Sequence, residues 1–273
     1  MPIRWLTVLI PAASALVLAA CASGPPKTPY PAFVQVDELP DVFMAELPGI
    51  RAKQFGGDTD LRTAANRVDL PPAWKGTTGA SPGKSLELFV LSGELLVADL
   101  KLGPGGYAYL PSGTLGFNLG TASGARLLYF LDDVDPRAVI QTPLILDSRL
   151  VDWDPAPTPG LWIKELRVDP GSGAKTWLLR IEPGATLGWE RIATYREGYL
   201  LRGAYQHSEC VDGKVLTWQY TPGGYFRRPP GAVNGGPDAG AVNESVWFLR
   251  EPAIAEATPV AGCVAEVQGD GAY

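Results

Sequence analysis

The sequence predicts an all-β protein in which one fold occurs twice. The 273-residue chain contains 32 glycines and 26 prolines, and no segment carries the long 3.6-residue periodicity of an amphipathic helix. Short runs rich in Val, Leu, Tyr, Phe and Trp alternate with Gly- and Pro-containing turns, which is the pattern of β-strands. Strands are expected at residues 86–91, 126–131, 177–181, 199–201, 215–220 and 245–249.

Matching segments recur at offsets of 110 to 118 residues, which indicates an internal duplication. In chain order the matches are 48–53 with 159–164, 70–72 with 181–183, 87–93 with 197–203, 104–107 with 222–225, 111–113 with 229–231 and 129–131 with 247–249. The second copy has eight extra residues, which we place in a longer hairpin at 206–214. This hairpin carries His207, Glu209, Cys210 and Asp212.

The duplication and the composition divide the chain into five parts. Residues 45–152 and 153–251 form the two repeated domains, and a proline-rich segment at 153–159 separates them. Residues 21–44 are expected to form a tether and a first strand, and residues 252–273 a C-terminal tail. Residues 1–20 form a processing signal.

Residues 1–21 resemble a bacterial lipoprotein signal peptide. One charge, Arg4, precedes an apolar run from Trp5 to Ala20, which is shorter than the roughly 20 residues that comfortably span a bilayer. The run ends in Leu-Ala-Ala-Cys, so the resemblance implies that Cys21 becomes the lipidated (palmitate-bearing) first residue of the mature protein. Because Ala22 rather than Asp follows Cys21, the resemblance further implies an outer-membrane location facing the periplasm. The alternative is a buried apolar helix that ends in an ordinary cysteine.

The charge of the chain restricts its partners. Removing residues 1–20 changes the net charge from −6 to −7, and an acidic chain without a basic stretch is a poor partner for nucleic acid. Contact with the membrane is therefore expected through acyl chains rather than through Lys and Arg.

Two cysteines are left after Cys21, and outside the cytoplasm an even pair predicts a disulfide. A bond between Cys210 and Cys263 would close a long loop, which the chain-entropy model values at about 4 kcal/mol. Two free buried thiols are the alternative.

The glycines and prolines of each copy resemble the motifs of the cupin family. Gly105 is followed at the family spacing by Pro111 and Gly113, and Gly223 by Pro229 and Gly231; Gly184 and Gly203 fit the frame of the other family motif in copy two. The resemblance covers residues 45–250. It implies two tandem cupin-type jelly-roll barrels, a bicupin, with a looser likeness to DUF4437-type cupins.

Most cupin enzymes hold a transition metal through histidines and a glutamate, but here the positions that the resemblance assigns to ligands carry other residues. They are Glu190, Ile192, Arg196 and Asn234 in copy two, and Ala80, Pro82, Leu86 and Gly116 in copy one. Arginine has no free lone pair and isoleucine has no donor atom, and the whole chain contains one histidine. We therefore expect no metal and no other cofactor, and metal-dependent oxygenase chemistry is not expected.

The candidate ligand-binding residues are Glu190, Arg196, Glu197 and Asn234. In this frame Arg196 either pairs with Glu190 as a structural replacement for the metal or holds a small anionic ligand bidentately. Strand alternation directs Glu197 and its counterpart Glu87 to the opposite face, unless a one-residue bulge turns them back. If Glu197 faced inward beside Glu190, a weak Ca²⁺ or Mg²⁺ site or a pair of carboxylates for acid–base work would be conceivable.

Two function classes follow. The first is a membrane-anchored binding or structural module with degenerate metal sites; the second is a metal-independent isomerase or lyase that uses Glu190, Arg196 and Tyr195 in barrel 2. A polar cavity around Arg196 would favour a ligand or catalysis, and a filled apolar interior would favour a structural role. His207 is expected on the exposed hairpin and Arg227–Arg228 as a solvated pair; a homo-oligomer is a further possibility.

Overall fold

A computed structural model describes Tyr30 and residues 33–44, 46–58, 63–253 and 257–264. It shows only strands, turns and two short 3-10 helices, at Val36–Glu38 and Ser148–Leu150, in this part of the chain. Within these residues, no helix is long and apolar enough to cross a membrane. The proposed signal peptide and Cys21 lie outside the described residues.

The strands fall into an N-terminal and a C-terminal half. The N-terminal strands are β1 (Val34–Gln35), β2 (Asp41–Phe43), β3 (Arg51–Asp58), β4 (Thr63–Leu70), β5 (Lys75–Thr78), β6 (Lys84–Gly93), β7 (Leu95–Val97), β8 (Leu100–Leu102), β9 (Gly106–Leu110), β10 (Phe117–Gly120), β11 (Ala125–Asp133) and β12 (Leu144–Asp147). The C-terminal strands are β13 (Asp154–Pro155), β14 (Leu161–Val168), β15 (Lys175–Ile181), β16 (Glu190–Arg191), β17 (Arg196–Arg202), β18 (Tyr205–Val211), β19 (Lys214–Tyr220), β20 (Gly224–Arg228), β21 (Val233–Asn234), β22 (Gly240–Ala241), β23 (Ser245–Glu251) and β24 (Thr258–Pro259).

Each half forms a barrel of one large and one small antiparallel sheet, and the two large sheets correspond strand for strand. The large sheets have the orders β12-β9-β6-β11-β4-β3-β2 in barrel 1 and β1-β20-β17-β23-β15-β14-β13 in barrel 2. The small sheets are β5-β10-β7-β8 and β19-β18-β21-β16-β24, with β22 paired to β18. Strand β1 precedes barrel 1 in sequence but completes the large sheet of barrel 2, so the N-terminal segment ties the two barrels together.

The eight extra residues of the second copy lengthen one hairpin. In barrel 1 the hairpin of β7 and β8 has three residues in each strand, whereas its counterpart of β18 and β19 has seven. The longer hairpin turns at Asp212 and Gly213, both at positive φ, as a two-residue type I′-like connection requires.

The buried side chains form three clusters, because alternate residues of each large sheet face opposite ways. Leu86, Leu88 and Val90 of β6 point into barrel 1, whose interior cluster is apolar. Phe89 of the same strand points out of the barrel and joins the layer between the two large sheets, where Phe130 stacks on Phe248. The third cluster fills part of barrel 2.

The predicted disulfide between Cys210 and Cys263 is confirmed. It fixes the C-terminal tail beside barrel 2, where β24 pairs with β16 and Pro259 lies opposite Glu190. The bond therefore supports the edge of the small sheet that carries Glu190.

Candidate functional site

The interior of barrel 2 contains a polar cavity of about 40 Å³, enough for a few water-sized groups. One side of its wall is apolar, formed by residues such as Phe226, Trp247 and Leu249. The polar residues of the wall are Glu190, Arg196, Tyr205, His207, Arg228 and Asn234. Barrel 1 has an apolar cluster in the corresponding position. The barrel-1 interior also contains the buried hydroxyls of Tyr129 and Thr78, which bond each other, whereas the charged groups named above line the cavity of barrel 2.

Arg196 lies in this cavity between two carboxylates. Its Nη1 donates to Glu190 Oε1 at 2.7 Å, and its Nε donates to Glu251 Oε1 at 2.5 Å. The pair with Glu190 is the one that the sequence suggested, while Glu251, at the end of β23, was not anticipated. Arg196 is therefore a fixed cation held between two carboxylates.

A second charged group joins His207 and Glu209 of the long hairpin to Arg228 of β20. The predictions that His207 and Arg228 are solvent-exposed are wrong. His207 is 3% exposed rather than solvated, and Arg228 is also 3% exposed, although its neighbour Arg227 is exposed as expected. The reason is the hairpin register: alternation along β18 places Tyr205, His207 and Glu209 on the face that closes the barrel.

The hairpin group is held by hydrogen bonds from three sides. Glu209 Oε1 accepts from Arg228 Nε at 2.6 Å and contacts His207 Nε2 at 2.8 Å. Glu209 Oε2 accepts from the hydroxyl of Tyr30 at 2.8 Å. Arg228 also contacts the ring nitrogens of His207, and the imidazole stacks on Phe226.

Burial and charge fix the protonation states of this group. Burial and the adjacent Arg228 lower the pKa of His207 to about 4, so the imidazole is neutral at pH 7. Burial opposes ionisation of Glu209, but the guanidinium of Arg228 outweighs it, and the pKa of this carboxyl falls to about 2. The group is therefore an ion pair with a neutral histidine.

Some hydrogen-bonding atoms in this interior have no protein partner. Among the described residues, the side-chain amide Nδ2 of Asn234 has no acceptor, and the buried hydroxyls of Tyr205 and Tyr220 have no hydrogen-bond partner. Asn234 lies opposite both Glu190 and Glu209 in the small sheet, and both Asn234 and Tyr205 line the cavity. A buried donor without a partner is costly, and a bound acceptor would satisfy it.

The residues at the family's ligand positions do not fit a metal. In barrel 1, Ala80 and Leu86 are fully buried in the apolar core. In barrel 2, the positions hold a buried isoleucine, Ile192, and the paired cation Arg196. In the part of the chain that the structure describes, no three His, Cys, Asp or Glu residues are arranged to hold an ion.

Glu197 and Glu87 do not enter the barrels. Both point into the layer between the large sheets, so the alternation of the strands holds without a bulge at these residues. Glu87 accepts from Arg167 Nη2 at 2.8 Å and from Arg250 Nη2 at 3.2 Å, and Glu197 accepts from Arg250 Nη1 at 2.5 Å and from the hydroxyl of Tyr225 at 2.7 Å. Glu197 therefore does not join Glu190.

The two equivalent carboxyls differ in pKa. Burial opposes the ionisation of Glu87, but Arg167 and Arg250 outweigh burial and lower its pKa to about 2. Glu197 shares Arg250 with Asp132, and burial raises the pKa of Glu197. Glu87 is therefore strongly ionised, whereas its counterpart Glu197 is harder to ionise.

Two further results concern the sequence candidates. Tyr195 lines a separate pocket between the barrels with Asp132 and Arg250, so it does not share the barrel-2 cavity with Glu190 and Arg196. Sequence reasoning missed His207, Glu209 and Arg228 as site residues. The alternating spacing of His207 and Glu209 was the available signal, but the direction of that face depended on the tertiary structure.

The fold defines a bicupin, with two cupin-type barrels in one chain. Residues 141–250 match the model of the ChrR cupin-like domain. No sequence among curated proteins is significantly similar to this chain.

Solved structures share the two-barrel architecture at low sequence identity. A provisionally assigned dioxygenase from Nostoc punctiforme is 20% identical, with a TM-score of 0.64 over 84% of this chain and 86% of that one. The DUF861 protein Ylba from E. coli is 17% identical, with a TM-score of 0.63 over 80% and 89%. An oxalate decarboxylase mutant from Bacillus subtilis is 12% identical, with a TM-score of 0.61 over 84% and 79%. These similarities establish the fold.

Proposed function

We propose that this protein is a lipid-anchored binding module of the bacterial cell envelope, loosely of the DUF4437 type, that holds a small carboxylate in barrel 2. The observation that carries the proposal is the buried amide of Asn234, which has no acceptor although it lines a cavity beside two guanidinium groups. Arg196 and Arg228 line the same cavity, and His207 adds no charge at pH 7.

The donors around the cavity favour a ligand of few atoms that accepts hydrogen bonds. Its wall contains two arginines and Glu190. Arg196 is also paired with Glu251 and Arg228 with Glu209, so a bound carboxylate would share guanidinium groups that match carboxylate oxygens well. The volume admits a compact ion such as formate or acetate but no extended molecule. The alternative of a metal-independent enzyme has less support, because Tyr195 opens into a different pocket.

We expect Asn234→Leu to weaken acetate binding about tenfold, because one hydrogen bond to a charged acceptor contributes about 1.5 kcal/mol. The variant should fold at least as well as the wild type, since the amide Nδ2 that it removes has no protein partner. Acetate is titrated into the full chain, and the ring signals of His207 report binding, because this residue lines the cavity and is the one histidine of the sequence.

Neutral acetamide is the matched ligand control and should not shift the His207 signals at the same concentration. Arg196→Met should abolish acetate binding, whereas Arg137→Met, at an exposed Arg–Asp pair, should not change it. Because Arg196→Met leaves two carboxylates unpaired, Arg196→Lys is the companion variant that keeps the charge. Equal acetate affinities in the wild type and Asn234→Leu would show that the cavity has only a structural role.

The anchor is supported by the sequence of residues 1–21 alone. We expect Cys21→Ser to abolish the acyl mass of the protein, because the thiol that would accept the acyl chains is lost. The intact mass of the purified protein measures this, with Cys263→Ser as a control that should keep the acyl mass. A wild-type protein without an acyl mass would contradict the anchor and leave the barrel-2 proposal standing.

A further inference from the structure

A groove of about 630 Å³ lies between the two barrels, at the other end of the strands that carry Glu87 and Glu197. This volume falls in the range of roughly 300–1,000 Å³ that is typical of small-molecule sites. The groove is separate from the barrel-2 cavity, and no residue lines both.

The duplication built the two walls of the groove. Phe89 and Leu91 line it from barrel 1, and their counterparts Tyr199 and Leu201, 110 residues later, line it from barrel 2. The repeated Pro-Gly turns at 104–105 and 222–223 also face each other across it. Segments that were recognised in the sequence only as repeats therefore converge on one site.

The floor of the groove is apolar and its rim is basic. Leu178 and Val246 continue the apolar surface between the walls. The charged lining residues are Arg67, Arg126, Arg149, Lys164 and Arg202 against one carboxylate, Asp37. The four arginines are each paired with a carboxylate, so the excess is the single charge of Lys164, which favours an anionic ligand.

The arginines of the rim have carboxylate partners, but Lys164 has none among the described residues. The Nζ of Lys164 donates to the carbonyl oxygen of Ser148 at 2.7 Å and lies 4.6 Å from the centre of the Trp153 ring. The residue is only 6% exposed, and burial lowers the pKa of its ammonium group. The carboxylates of Asp152 and Asp147 act on Lys164 from beyond ion-pair distance, so a ligand carboxylate in direct contact would stabilise this buried cation.

A second buried donor points to the same kind of ligand. Arg67 is 4% exposed, and although its Nη1 pairs with Asp37, its Nε has no partner. Arg67 lines the groove on the barrel-1 side, whereas Lys164 belongs to barrel 2. The two donors bracket the apolar floor.

We propose that the groove binds an amphiphilic carboxylate, with its carboxylate at Lys164 and its hydrocarbon chain along the apolar floor. The burial of hydrocarbon between Phe89, Leu201 and Val246 supplies the non-directional part of the affinity. The unpaired ammonium supplies selectivity for an anionic head group. Binding here is independent of the small carboxylate proposed for barrel 2.

Dodecanoate is the probe, titrated calorimetrically below its micelle concentration into the full chain carrying Cys21→Ser, which needs no detergent. We expect saturable one-to-one binding that is at least tenfold weaker in Lys164→Met. Lys101→Met is the matched control, because Lys101 is an exposed lysine paired with Glu94 and lies away from the groove; its affinity should equal that of the parent chain.

Leu201→Glu covers the case in which Lys164→Met does not fold. It places a negative charge at a half-buried position on the groove wall, and dodecanoate binding should be lost. Dodecanol and dodecyltrimethylammonium test the head group, and both should bind at least tenfold more weakly than dodecanoate. Equal affinity for the three amphiphiles, or unchanged dodecanoate binding in both groove variants, would overturn the proposal.

Discussion

Glu87→Gln is expected to lower the free energy of unfolding by about 3–5 kcal/mol, the cost of leaving a buried charge without its partner. Glu87 is the one carboxylate that pairs with Arg167 among the described residues, and the two side chains are 1% and 7% exposed. Arg250 keeps Asp132 and Glu197, so the loss falls mainly on Arg167. Urea denaturation at pH 7 measures the change.

Asp69→Asn is the matched control, because it breaks an Arg–Asp pair whose partners are about half exposed. An exposed pair of this kind contributes less than about 1 kcal/mol. Adding Arg167→Met to Glu87→Gln should restore part of the lost stability, since it removes the orphaned charge. If Glu87→Gln and Asp69→Asn lowered the free energy of unfolding by the same amount, the ion pairs of Glu87 between the barrels would not be stabilising contacts.

His207 is expected to make the protein about 3 kcal/mol less stable at pH 4 than at pH 6.5, because one pKa unit corresponds to 1.36 kcal/mol. The unfolded chain takes up a proton near pH 6.5, whereas the folded imidazole stays neutral until about pH 4. The unfolded state therefore binds more protons in this window, and stability falls as the pH falls. Unfolding free energies between pH 7 and pH 4 measure this effect.

His207→Gln removes the titrating group. The plot of unfolding free energy against pH should therefore be flatter for this variant than for the wild type between pH 6.5 and pH 4. Glu197 acts in the opposite direction, since its raised pKa favours the folded state on acidification, but it is present in both proteins and cancels in the comparison. The His207 signals should titrate near pH 4 in the folded chain. Parallel stability curves for the two proteins would contradict the neutral, buried histidine.

The sequence showed which residues of a strand share a face. It did not always show whether that face points into the barrel, towards the other barrel or to solvent. The duplication located Glu87 and Glu197 as equivalent residues, and the alternation of the strands correctly directs both away from the ligand positions. Their destination, a shared layer with Arg167 and Arg250, joins residues 80 to 163 positions apart. No local pattern carries that information.

The hairpin at 206–214 shows the same limit. Its extra length was visible, and a hairpin with a charged, histidine-containing sequence normally lies in solvent. Here the lengthened strands extend the small sheet over the barrel. At the repeat offset of 110 residues, Tyr205 and His207 take the positions of the interior Leu95 and Val97 of barrel 1, and Glu209 continues the same face. Arg228 of β20 pairs with Glu209, and its positive charge makes the burial of this carboxylate possible.

The sequence by itself determined the all-β class, the tandem barrels and the disulfide, because these depend on local periodicity, repeated motifs and residue chemistry. Only the tertiary structure decided which charges meet. Burying a side chain depends on what packs opposite it, and in this protein those partners include residues of the other barrel, such as Arg167 for Glu87, and of distant strands, such as Glu251 for Arg196. The polar cavity and the groove between the barrels are both products of that packing.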